Sequence, residues 1–394
     1  MSGPRMLEGV RVLDLSRVLA GPWCGQLLAD YGADVIKVER PGTGDDTRAW
    51  GPPWHGEGTN RVAAYYLSAN RGKRSIAVDI AAADGATLVR ELARHADVLL
   101  ENYKVGQLAR YGLDAASLMA LNPRLVYCSI TGFGQDGPMA ATAGYDFAIQ
   151  ATGGLMSITG EKDGTPGSEP QKVGVAVADL FTGMYATTAI LAALHERSRT
   201  GRGRHIDAAL LDAQVAMLAN QASNHLVGGI TPRRMGNAHV NVVPYQVLPT
   251  ADGHIVLAVG NDGQFQRFCQ HAGRPDVAHD PRFVTNSARI EHRDALIPVI
   301  AVWMLERTTQ QWCDLLEPNA VPCAPILNLP QVFEHRQVVH RGMKTHLFDA
   351  QGRAVPLVAN PMRFNGQRAL APEPPPGLDE HGDAIRAGHT WRPR

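Results

Sequence analysis

The sequence predicts an α/β protein: a large domain built on a parallel sheet with helices on both faces, and a smaller α+β domain. Strand-like and helix-like segments alternate from Val10 to Ile130, the pattern of a parallel sheet. The texture then changes near residue 225, where a loop-rich stretch leads into a short strand and two helical segments. Of the 394 residues, 44% are hydrophobic and 19% charged, enough to bury a sizeable core and too apolar for disorder.

Val10–Leu15 reads as a short buried strand, and Trp23–Tyr31 as a helix closed by Gly32. Asp34–Val38 is a second strand that ends at Glu39-Arg40-Pro41. Ser75–Ile80 is a third, followed by a helix over Asp84–Ala96 with Leu88, Leu92 and Ala96 on one face, and by a strand at Val98–Leu100. Arg124–Ile130 is another strand, with the glycine-rich loop TGFGQDGP after it. In the smaller domain ADGHIVLAVGN is a strand entered through an Asp-Gly turn, with helices near Gln264–Ala272 and Arg293–Arg307. The proline-rich tail APEPPPGLDEHGD reads as an extended surface segment.

Lys and Arg number 38, as do Asp and Glu, so net charge offers nothing to nucleic acid or an anionic membrane. The five cysteines are scattered and never spaced CxxC, which argues against a disulfide framework or a zinc site and for a reducing compartment. The N-terminal MSGPRMLEGVRVLDL has no long apolar segment before a cleavage site, and no apolar run reaches membrane-spanning length. A cytoplasmic protein without a metal is expected.

In open α/β sheets, ligands bind beyond the carboxyl ends of the strands. Those ends carry Ser16-Arg17, Glu39-Arg40, Glu101-Asn102-Tyr103 and Ser129–Phe133. The loop SRVLAGPWCGQ after the first strand lacks GxGxxG, which counts against an NADP-dependent oxidoreductase. Arg40 suits a nucleotide with an extra ribose phosphate, NADP or coenzyme A; a solvated surface arginine is the plainer reading. The run NRGKRS is a second basic cluster, either a solvated face or a pyrophosphate site, and Asn102 with Arg110 forms a third.

Asp179 stands between KVGVAVA and a long apolar helix. It is either an N-cap or a nucleophile. A carboxylate at a helix N-terminus is expected to stay ionised, because the dipole favours the anion. His195, near the end of that helix, reads as a dipole partner.

Taken in order, LEGVRVLDLSRVLAGPWCGQLLADYGADVIKVERPGTGDDTR, NRGKRSIAVDI, ADVLLENY, NPRLVYCSITGFGQDGP, AGYD, VADLFTGMYA and ILAALHERSRTGRG resemble the family III CoA-transferases. The resemblance resumes at NAVPCAPI and the PPP tail. It implies a Rossmann-like large domain over 1–225 completed by 330–394, a small domain over 226–329, and two chains interlocked as a homodimer. It also implies acyl-CoA and small carboxylic acids as partners, with the CoA thioester a substrate and no permanent cofactor. Asp179 becomes the nucleophile, passing through a mixed anhydride and an aspartyl-CoA thioester. The CoA contacts implied are Leu19, Ala20, Arg40, Asn102, Tyr103 and Arg110, with help from Arg74.

Racemases of the family resemble a pattern with His where this chain has Tyr145. Two acid/base groups are needed for racemisation, and an ordinary phenol near pKa 10 is a poor base, so acyl-CoA racemase is the lesser alternative. The stretch MGNAHVNVVPYQ is shorter than the glycine-rich loop of formyl-CoA transferase and bears His239. Together with GDDTRAWGPPW it resembles the succinyl-CoA:glutarate CoA-transferase branch, implying succinyl-CoA as donor and a dicarboxylate as acceptor. Candidates for the acyl and acceptor pocket are Arg17, Arg48, Trp50, Tyr145 and His239.

Overall fold

The structure is a computed structural model that describes residues 4–58, 61–388 and 391–392. The chain divides into two compact units: residues 1–155, 173–230 and 336–394 form the first, and 156–172 with 231–335 the second. The segment 156–172, assigned to the large domain from sequence, packs instead with the second unit. There Arg234 pairs with Asp163, and Gln171 N–H donates to Thr159 O.

In the first unit the chain runs β1 (Arg11–Asp14), α1 (Ala20–Asp30), β2 (Asp34–Glu39), α2 (Ala64–Ser68), β3 (Lys73–Ala77), α3 (Ala83–Arg94), β4 (Val98–Glu101) and β5 (Val126–Thr131). It continues with α4 (Asp146–Thr152), α5 (Val177–Thr200), β6 (His205–Ala209) and α6 (Leu210–Met217). The six strands form one parallel sheet in the order β3-β2-β1-β4-β5-β6. Val12 of β1 sits in register with Val35 of β2 and Val98 of β4. The winding direction therefore reverses between β1 and β4, which opens a crevice at their carboxyl ends.

The central strands β1, β4 and β5 are buried on both faces and read as nearly continuous apolar runs, whereas the edge strand β6 alternates exposed and partly buried residues. Val12, Val35, Val98 and Cys128 pack under α1 and α5, through Cys24, Leu28, Ala186 and Ile190. Leu13, Ile36, Leu99 and Tyr127 point the other way and pack under α3, through Val89 and Leu92. Among the described residues α5 alone is long and apolar enough to cross a membrane. It is a core helix of this unit, seated against α1, α6, β5 and β6. Gly201, at φ 72°, closes it as glycine does at helix C-termini.

The run NRGKRS lies inside the fold. Arg71 pairs with Asp30 at 2.6 Å, Lys73 with Asp14 at 2.9 Å and Arg74 with Asp34 at 2.6 Å. Next to them, buried Lys37 pairs with Asp45 at 2.9 Å and donates to Ser16 O at 2.8 Å. Removing one member of such a pair strands a charge in the core, so each arginine or lysine fixes its strand against a neighbour.

In the second unit β7 (Tyr245–Pro249), β8 (His254–Ala258) and a later strand form an antiparallel sheet. It is covered by α7 (Asp262–His271), α8 (Arg293–Met304) and α9 (Thr309–Leu316), and the later strand is β9 (Cys323–Pro325). Phe265, Phe268, Trp303 and Trp312 form its core. Thr308 and Gln311 close a reciprocal capping box at the start of α9. Fully buried Arg289 joins Asp262, Val243 O and Phe283 O.

The tail returns to the first unit. Its hairpin, β10 (Lys344–Phe348) and β11 (Ala354–Val358), rests Val355 and Leu357 on Tyr66 and Leu67. The PPP segment does not lie on the surface as expected: Pro375 and Pro376 are buried, and Pro376 O accepts from Arg48 at 3.1 Å. Asp379 accepts from Ala77 N–H, and His381 exchanges two hydrogen bonds with Ser75 across the outer edge of β3.

Candidate active site

The cleft at the carboxyl ends of β1, β4 and β5 has a volume of about 260 Å³. Arg17 to Ala20, Asn102 to Val105, Thr131-Gly132, Gly144-Tyr145 and Asp179 line it. Three of these segments come from strand ends, and Asp179 comes from α5.

The β1–α1 loop is held from below and from the side. Ser16 donates its N–H and its hydroxyl to Asp14, which is itself fixed by Lys73. Asn102, just past β4, closes a two-way clamp: its Oδ1 accepts from Arg17 N–H at 2.9 Å and its Nδ2 donates to Arg17 O at 2.7 Å. Val18 adopts φ 72°, a left-handed conformation that costs a β-branched residue about 1–3 kcal/mol. Its N–H is held by the Asp45 carboxylate. No side chain caps α1 and its first turn has no acid, so Ala20 brings the helix's positive end to the cleft.

The DLFTG motif has a packing reason. Asp179 and Gly183 are four residues apart and share one face of α5. A Cβ on Gly183 would lie 2.6 Å from Ala20 O, so glycine lets α5 close onto the start of α1. Asp179, one turn earlier, then faces the same loop. Gly132 and Gly144 make a second backbone crossing, where a Cβ on Gly132 would lie 2.5 Å from the Gly144 Cα.

Asp179 is not an N-cap. Ala176 is, and Asp179 is the third residue of the helix, partly buried. Among the described residues no hydrogen bond reaches its carboxylate. Nor is it held in the ordinary ionised range: burial, reinforced by the charge of Asp146, pushes its pKa up to about 7. The helix dipole contributes about 0.3–1 kcal/mol at an exposed site, and the cost of desolvation outweighs it.

Arg17 and Arg40 meet on one carboxylate, Asp46, at 3.0 and 2.8 Å. Arg17 also lies 5.4 Å from the centre of the Tyr103 ring. Arg40 is exposed at the end of β2, while Glu39 beside it is buried on Arg48 and Ser75 and is not free for a ribose. Leu19, Ala20, Asn102 and Tyr103 of the predicted CoA set line the cleft, Arg40 is not among its lining residues, and Arg110 is exposed on the turn Leu108–Tyr111.

Of the sequence candidates, Arg48 and Arg74 do not line the cleft, and His239 is part of the second unit. Arg48 is consumed by a two-bond pair with Glu39 and by contacts to Tyr66 and Pro376 O. Arg74 pairs with Asp34 near the amino ends of the strands, opposite the cleft. His239 belongs to the second unit, where its Nδ1 accepts from Asn241 N–H and its ring contacts Tyr245. Trp50 packs edge-on against Tyr65 with centroids 5.3 Å apart. Burial, followed by the charges of Asp179, Asp146 and Asp45, raises the Tyr65 phenol.

Sequence reasoning missed Tyr65, Asp46 and Asp146. Asp146 directly follows Tyr145 in AGYD, so the motif itself was the one available signal. Cys313, Glu317 and Cys323 in the second unit bring their ligand atoms within 4.8 Å of one another. Burial pushes both thiols up, Cys323 to about 12.

Comparison with known proteins matches residues 7–382 to CoA-transferase family III. The chain is 52% identical to a succinate–glutarate CoA-transferase of Agrobacterium fabrum, over 97% of this chain and 95% of the relative. It is 42% identical to the human succinyl-CoA:glutarate CoA-transferase, over 97% of this chain and 85% of the relative. A CAIB/BAIF family protein from Brucella suis is similar in structure, with TM-score 0.85 and 49% identity over 98% of this chain and all of the other.

Proposed function

The chain belongs to CoA-transferase family III, and from that premise we propose that it moves CoA from succinyl-CoA to a C5 dicarboxylate such as glutarate, with Asp179 as the covalent carrier. The observation that carries the assignment of the carrier is Asp179 itself: a carboxylate without a hydrogen-bond partner among the described residues, facing a cleft at the sheet's switch point.

Ionised Asp179 attacks the thioester carbonyl of succinyl-CoA, forming a mixed anhydride and releasing CoA thiolate. The thiolate attacks the aspartyl carbonyl, giving aspartyl-CoA and succinate. The acceptor carboxylate then attacks aspartyl-CoA, which regenerates an anhydride and the thiolate. Attack of that thiolate on the acceptor's carbonyl yields the new acyl-CoA and restores Asp179. Each step needs donors for a developing oxyanion, which the open first turn of α1 is placed to supply. Water must be kept from the anhydride.

In this reading the backbone at Leu19 and Ala20, with Asn102, Tyr103 and Arg110, cradles CoA, and Arg40 meets its ribose phosphate. Arg17 is the cation for the acceptor's second carboxylate, exchanging Asp46 for it. Trp50, Tyr65 and Tyr145 shape the acyl pocket. The working enzyme is an interlocked homodimer in the cytoplasm. Large exposed apolar side chains such as Leu226, Val227, Phe348 and Val358 favour a partner chain, and five free cysteines suit a reducing compartment.

Two measurements test this. Asp179→Ala abolishes transfer while CoA binding by calorimetry persists; full transfer in that variant would refute the carrier role. A panel of glutarate, itaconate, malate, mesaconate and oxalate with succinyl-CoA, read by mass spectrometry, should give glutaryl-CoA as the fastest product. Faster transfer to malate or oxalate than to the C5 acids would overturn the acceptor assignment.

A further inference from the structure

We propose that Asp146 is the positioning residue of Asp179: its carboxylate fixes the first turn of α5 and holds a second negative charge beside the nucleophile, which makes Asp179 a stronger base and a stronger nucleophile. This rests on the reading of Asp179 as the carrier.

The geometry is a short relay. Asp146 opens α4, and its Oδ1 accepts from Ala178 N–H at 2.8 Å, one residue before Asp179. Its Oδ2 accepts from Gln150 Nε2 at 2.7 Å, and Gln150 Oε1 accepts from Val173 N–H at 2.9 Å. Gln150 is fully buried, so its amide cannot turn without losing a bond. Asp146 and Gln150 thus tie α4, the segment leading into α5, and the first turn of α5 into one unit.

Other polar groups also face Asp179. Arg17 and Asp46 stand across the cleft, Tyr103 and Lys104 come from the loop after β4, Tyr145 from the loop before α4, and Tyr65 from α2. Among the described residues the charge that adds to burial on Asp179 is not one of these but that of Asp146. A carboxylate made more basic is also more nucleophilic, at the cost of being partly protonated near neutral pH.

The relay makes a distinctive pair of variants. Asp146→Asn keeps an acceptor for Ala178 but turns an NH2 group towards Gln150 Nε2, losing one bond and the charge. D146N/Q150E restores the bonds, since the introduced carboxylate can accept from both the introduced amide and Val173 N–H. It also returns a negative charge one side chain further off. The experiment is the pH dependence of kcat and kcat/KM for CoA transfer in wild type, D146N and D146N/Q150E, with Tm measured for each.

In D146N the acid limb should move to lower pH and the plateau rate should fall, with KM for acyl-CoA little changed. The double variant should return both towards wild type. A D146N rate loss that is equal at every pH, with an unmoved limb, would overturn the tuning role and leave only a structural one. If D146N does not fold, the double variant decides: a wild-type limb supports the proposal, and a limb unrelated to the charge introduced by Q150E refutes it. Failure of the underlying reading is separate, since it would appear as transfer by Asp179→Ala.

Discussion

Replacing Asp179 by asparagine should stabilise the protein while destroying its activity. The carboxylate rises from 3.8 to about 7 on folding, with burial as the first cause and Asp146 as the second. That is about a thousandfold in proton affinity, or about 4 kcal/mol at ~1.4 kcal/mol per tenfold. Asp179 is partly open to the cleft, so solvent screening reduces the figure to roughly 1–3 kcal/mol. The sign follows from linkage. The folded state keeps the proton to about pH 7, while the unfolded chain loses it near 3.9. Wild type therefore loses stability as pH rises between those values, and remains destabilised above them. Asparagine carries no such charge and forfeits no hydrogen bond. Thermal unfolding of both proteins at pH 5 and pH 8 reads the difference. The variant should gain roughly 2–6 °C at pH 8 and clearly less at pH 5. An equal gap at the two pH values, or a variant less stable at pH 8, would show that Asp179 is not held against a desolvation cost.

Gly183→Ala should lower Tm by the equivalent of about 1–3 kcal/mol, because the added methyl meets Ala20 O at 2.6 Å. It should also cut kcat more than a surface Gly→Ala change would, since the same contact aims Asp179. Arg71→Met should cost about 3–5 kcal/mol in urea unfolding by stranding Asp30 in the core, with much of that recovered in the R71M/D30L double variant. A small loss in the single variant would mean that water reaches Asp30.

The sheet was legible because its central strands are buried on both faces and separated by helical periods. Every strand read from the N-terminal part of the sequence lies in the observed sheet within two or three residues. The start of β3 was missed at Lys73 and Arg74 because charged residues read as loop, and their partners Asp14 and Asp34 lie 59 and 40 positions away. Arg48 misled for the same reason: nothing local reveals that Glu39 and Tyr66 would enclose it. Asp179 was legible as a motif, but whether it also capped its helix was left open until the structure gave that place to Ala176. Capping depends on which residue first adopts helical angles, and burial had reversed the expected direction of its ionisation. Asp146 showed in the sequence only as the last residue of AGYD, since its effect on Asp179 is spatial.

The return of the tail to β3 has a consequence for how the protein is made. The outer edge of β3 is closed by residues more than 300 positions downstream, through Ala77 with Asp379 and Ser75 with His381. On a translating ribosome that edge emerges early and stays open until Asp379 and His381 have been synthesised. It is a strand edge able to recruit foreign strands during that interval. Ser75 and the buried Arg74–Asp34 pair beside it act in the meantime as a polar guard. A nonsense mutation just before Asp379 would leave the cleft's residues intact and yet yield a nascent chain prone to aggregate.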